Sequence, residues 1–218
     1  MVAIDSSHDI AAPGETAHTG QIVLFAFLGA ALLAAASVVL NANDGNGWRV
    51  AAEMAGRFSL LLFVAALIVE PLARLIPTKL LQAVGRERGN LTLGFAAASA
   101  VALACVAAPS NLGGEAMSAP AMAYCALTAL ILVVMLFSGH PATIRYLGAP
   151  AWRALQRIAT SYFWLVFTLA GLEHLVGPHL PDSWYGFSLL LLTAALLLRF
   201  ADSFVAHWRH RDVAGKVA

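Results

Sequence analysis

QIVLFAFLGAALLAAASVVL, residues 21–40, carries no charged side chain over its whole length. An α-helix rises about 1.5 Å per residue, so a stretch of this length crosses a hydrocarbon core roughly 30 Å thick. Water is absent there, and the segment must satisfy its own backbone groups as a helix. Five further stretches downstream are of spanning length and predominantly apolar: Phe58–Leu75, Leu91–Ala108, Ala119–Phe137, Thr160–Val176 and Trp184–Val205. The sequence therefore reads as an all-α polytopic membrane protein, a bundle of six transmembrane helices.

Composition agrees. Hydrophobic residues make up 60% of the chain and charged residues 11%, against about 25% charged in an ordinary soluble domain. Loops this short leave no room for a second domain. The expected organisation is a disordered N-terminal arm at 1–19, one transmembrane domain at 20–208, and a cytoplasmic tail at 209–218. Asp5, Asp9 and Glu15 precede the first span where a cleaved signal peptide would carry basic residues, so none is expected.

Basic residues alternate from loop to loop. One side of the expected topology holds Arg74, Lys79, Arg86, Arg88, Arg145, Arg153, Arg157, Arg199, Arg209, Arg211 and Lys216, and the other holds Arg49 and Arg57. Positive charge collects on the cytoplasmic side, which places both termini in the cytoplasm and the outer loops near 41–56, 109–118 and 177–183. These clusters determine topology and do not form a nucleic-acid patch. Intramembrane charge is scarce, which argues against an ion or proton pathway. Glu70 and Arg74 have the spacing of an ion pair within one helical turn, as do Arg199 and Asp202.

The first and third spans are rich in alanine and glycine. Small residues let helices approach closely in lipid, so both are expected inside the bundle. The leucine-rich sixth span, flanked by Trp184, Tyr185 and Trp208, is expected to face lipid. Cys105 and Cys125 lie at similar depth and read as small apolar side chains rather than a disulfide. No nucleotide-binding loop, serine elbow, HExxH helix or CxxC pair occurs.

Two segments carry a family resemblance: GRFSLLLFVAALIVEPLARL at 56–75 and GAPAWRALQRIATSYFWLVFTLAGLEHL at 148–175. With Pro71-Leu72-Ala73-Arg74, Leu93-Gly94-Phe95 and Trp152-Arg153-x-Leu155-x-Arg157, they resemble the ferric-reductase-like transmembrane domain. The nearest branch is the haem-binding membrane subunit of the periplasmic methionine-sulfoxide reductase system. The resemblance covers roughly residues 20–205. It implies a bacterial inner-membrane location, partners among membrane or periplasmic subunits, and electron transport through haem b held by histidines on facing helices.

The ligand positions depart from that pattern. Ungapped matching places Ala104, Gln156 and Leu169 where the family carries histidine. Of the chain's 7 histidines, His174 alone falls near a helix interior. Gln156 and His174 share one helix face, eighteen residues apart, and are the candidate cofactor-binding residues. No catalytic or metal-ligating residues are expected. Three readings follow. The first is a ferric-reductase-like protein that has lost haem ligation and serves as a structural or accessory membrane subunit, without catalytic activity of its own. The second is a haem b transmembrane electron relay to a periplasmic reductase. The third is a transporter or small-molecule binder. The empty ligand positions favour the first.

Overall fold

The computed structural model describes residues 15–41, 46–76, 78–79, 81, 85, 88–111, 117–138, 141–176 and 183–214. Seven α-helices follow in order among them: α1 (Glu15–Leu40), α2 (Gly47–Leu75), α3 (Arg88–Asn111), α4 (Ala119–Ser138), α5 (Pro141–Leu147), α6 (Ala149–Val176) and α7 (Ser183–Ala214). No strand occurs among the described residues. All but the short α5 are long and apolar enough to cross a membrane. The chain is a multi-pass helical membrane protein.

Hydropathy located the apolar cores of these helices and missed their ends. Residues 47–56, expected in an outer loop, form the first turns of α2, and much of the expected 138–159 loop is helical as α5 and the start of α6. The segment GWRVAAEMAGR is largely made of helix-compatible residues, and nothing in it stops the backbone ladder where the side chains become polar. Between α5 and α6 the stop is Gly148, at φ 79°, a left-handed conformation that side chains with a Cβ rarely adopt. At the chain ends, α1 begins at Glu15 and takes in residues 15–19, and α7 continues through Ala214. Residues 1–14 and the side chain of Asp202 lie outside the described residues.

α2 is the hub. It packs closely on α1 and α3, which also pack on each other, and it is the helix against which α7 rests; α6 leans on α7, and α4 on α3. Close approach depends on small residues. Ala26, Ala30, Ala34 and Ser37 form the buried stripe of α1, and Ala96, Ala98 and Ser99 that of α3. A Cβ on Gly94 of α3 would lie 3.1 Å from the Ala26 Cβ of α1, so that crossing has little room for anything larger. Apolar burial drives nothing between helices already in lipid; packing contacts and hydroxyl pairs hold them together. Ser59 and Ser99, both buried, hydrogen-bond across the α2–α3 contact. The Tyr162 hydroxyl donates to Thr128 Oγ1 at 2.7 Å, and Thr128 in turn donates to the Tyr124 carbonyl at 2.8 Å, tying α6 to α4.

Two expectations about exposure need correction. α1 is not wholly interior: Phe25, Leu32, Val39 and Leu40 lie on its exposed side. α7 does not simply face lipid: Leu192 and Ala195 are each 1% exposed in the core, while Leu190 and Leu197 are exposed. Each helix is two-faced, and a count of small or large residues cannot resolve the faces. Cys105 and Cys125 are free thiols. Arg74 donates to Glu70 within the same helix, as their spacing predicts.

Candidate functional site

Two places in the bundle gather side chains capable of selective chemistry. The first is its centre, between α2, α3 and α6. Phe63, Phe95, Phe163 and Phe167 converge there, with Phe95 and Phe163 edge-to-face at 4.8 Å between ring centroids and Phe63 and Phe95 at 5.0 Å. Phe167 joins Phe63 at 5.6 Å, and Tyr162 meets Phe163 edge-to-face at 5.2 Å. Leu60, Val64, Leu132, Met135 and Leu192 close the cluster. These spacings are those of favourable aromatic pairs, and the rings fill the gap between the helices.

The positions at which the resemblance placed haem ligands are scattered around this cluster. Ala104 is exposed on α3, and Leu169, at 55% exposure, is on the outside of α6. Gln156 is half-buried near the start of α6, and His174 is exposed near its end. At 1.5 Å per residue they are about 27 Å apart along one helix. Haem held from both sides needs ligands facing each other across a gap between helices. Among the described residues, these four positions do not provide such a facing pair. Among the described residues, no cluster of three or more His, Cys, Asp or Glu side chains could hold a metal ion.

The second place is a cleft of about 170 Å³ between the first half of α2, the last three turns of α6 and the first two turns of α7. His174 comes from α6. Its Nδ1 lies 2.9 Å from the Ala170 carbonyl, to which an Nδ1–H donates, since a carbonyl only accepts. The imidazole stacks on Tyr185 of α7, at 4.1 Å and 20° between planes. Arg57 of α2 reaches the same ring: its guanidinium carbon lies 5.7 Å from Tyr185 and 5.5 Å from Trp184, within cation–π range. Ser188 donates to the Tyr185 carbonyl at 2.8 Å, and Glu53 completes the rim.

Comparison of the chain with family models, curated proteins and solved structures finds no match. The site rests on its own geometry. Of the sequence candidates, His174 belongs to the cleft and Gln156 does not. Sequence reasoning treated Arg57 as a loop charge and Trp184 and Tyr185 as interfacial markers, so it missed three of the cleft's principal residues. The available signal was the Glu53–Arg57 spacing of four, which puts both on one helical face directly before an apolar span.

Proposed function

We propose that this protein is a structural or accessory subunit of the bacterial inner membrane, with both termini in the cytoplasm and without haem ligation of its own. Its partners on this reading are other membrane or periplasmic subunits. The observation that carries it is the aromatic cluster. Phe63, Phe95, Phe163 and Phe167 fill the space between α2, α3 and α6, which on this reading leaves no room there for a flat cofactor. The exposed Ala104 and Leu169 agree with that reading, because apolar side chains at these sites can face lipid without cost. The orientation rests on the uneven distribution of basic residues.

Pyridine haemochrome analysis of detergent-purified protein, expressed with haem in excess, tests the reading directly. Substoichiometric haem is expected. Near one haem per chain, lost in His174→Ala, would overturn it and reinstate the electron relay. For orientation, cysteines introduced at Gly113 and Asp182 in a cysteine-free background should react with an impermeant reagent from the periplasmic side, and one at Gly85 should not. The reverse pattern would invert the topology.

A further inference from the structure

Three polar side chains lining the cleft have accepting atoms to spare. Ser188 has one hydroxyl hydrogen and donates it to the Tyr185 carbonyl, so its Oγ keeps only lone pairs. In the neutral imidazole of His174, Nδ1–H donates to the Ala170 carbonyl and the second ring nitrogen accepts. Glu53 brings a carboxylate, which only accepts. It is half-buried and has neither a hydrogen bond nor an ion pair among the described residues. A partly desolvated charge in that state is costly to keep. Arg57 is already engaged, over the rings of Trp184 and Tyr185.

Acceptors of this kind call for a ligand that brings its own hydrogens. A primary ammonium brings three, and its charge matches the carboxylate. The rest of the lining is apolar. From Glu53 to Leu60 the α2 wall runs seven residues, about 10 Å, and it ends among Leu60, Phe167 and Ala170. Gly56 lies on the way, and a Cβ built on it meets nothing within 4 Å, so the wall is open there. The cleft's volume of about 170 Å³ is close to the roughly 150 Å³ of an apolar cavity that takes up benzene. We propose that the cleft binds a small primary amine carrying one aromatic or short aliphatic group. The ammonium donates to the Glu53 carboxylate, with His174 and Ser188 as further acceptors, and the apolar group lies against Leu60 and Phe167. A carboxylate ligand would set a like charge beside Glu53. A second ammonium on the ligand would be repelled by Arg57, one turn along α2, which restricts the class to monoamines. The assignment rests neither on the accessory role nor on which side of the membrane the cleft faces.

Isothermal titration of the full chain in detergent micelles, with protein-free micelles as the blank, tests it against ligands of one shape: 2-phenylethylamine, 2-phenylethanol and 3-phenylpropanoate. The amine should bind about tenfold more tightly than the alcohol, the ratio expected of one charge-assisted contact, and the carboxylate more weakly than either. E53Q keeps the shape of the side chain and removes its charge, and should bring the amine to the alcohol's affinity. G56L should abolish binding of both with unchanged helical circular dichroism, because the leucine enters the open space. Equal affinity of amine and alcohol for the wild-type chain, tightest binding of the carboxylate, an undiminished amine preference in E53Q or undiminished binding in folded G56L would overturn the proposal. Should G56L fail to fold, trimethyl(2-phenylethyl)ammonium on the wild-type chain takes its place. That ion keeps the charge and has no N–H, so it should bind more weakly than the amine; equal affinity would overturn the role of the three acceptors.

Discussion

The centre of the bundle and the cleft near the start of α2 use the same kind of side chain for opposite ends. Phe63, Phe95, Phe163 and Phe167 turn their rings on one another and leave the middle of the molecule filled and apolar. Trp184 and Tyr185 instead turn theirs towards a guanidinium and an imidazole. The difference follows from depth. An ionisable group near the bilayer midplane costs several kcal/mol at least by any scale, roughly 2.5–3.5 kcal/mol on the most lenient. Near the interface the same group keeps partial access to water. A chain that fills its centre with hydrocarbon has only its rims for polar recognition.

That contrast can be broken at its strongest point. Phe95→Ala should destabilise the bundle most, by about 3–5 kcal/mol, because Phe95 is fully buried and its ring touches two helices besides its own. Reversible unfolding in mixed micelles would measure it. A loss below about 1 kcal/mol would mean the centre is not a packed core. Next in size, Ala98→Leu should cost about 1–3 kcal/mol by overpacking the α3 interface, whereas Ala100→Leu, at an exposed position, should be tolerated. Equal effects at the two sites would mean that α3 is rotated from the arrangement described. Ser59→Ala should lose roughly 0.6–1.7 kcal/mol, the range for hydrogen bonds between membrane helices, and the double change with Ser99→Ala should add little to that. Additive losses would show that the two hydroxyls do not share a bond.

The smallest stability effect belongs to the cleft. Trp184→Leu keeps an apolar side chain and removes the cation–π contact with Arg57 and a tilted ring contact with Phe187, so a loss of about 1 kcal/mol is expected. A loss as large as that of Phe95→Ala would remove the distinction between a structural centre and a recognition rim.

How much of this was legible beforehand depended on the kind of signal. Span number and approximate position came from hydropathy alone, because an uncharged run such as 21–40 has few alternatives. The Glu70–Arg74 pair came from spacing within one helix. The hub role of α2 did not emerge. It depends on which helix each face meets, and a periodic face within one helix does not name the neighbour it packs against. The cleft was hidden for a different reason. Arg57, His174 and Tyr185 are distant in sequence, and only the folding of α2, α6 and α7 against one another brings them together.

α7 is 32 residues long, about 48 Å at 1.5 Å per residue, while the hydrocarbon it crosses is roughly 30 Å thick. Even with the usual tilt of about 20°, roughly three turns must extend beyond the hydrocarbon, into the headgroup region. The projection is a continuous helix and acts as a rigid strut rather than a tether. Whatever engages the residues near Ala214 meets them at a depth fixed by the helix. A small rotation of α7 about Trp184, which forms one wall of the cleft, would swing that far end through a proportionally larger arc, giving the molecule a built-in lever between its two rims.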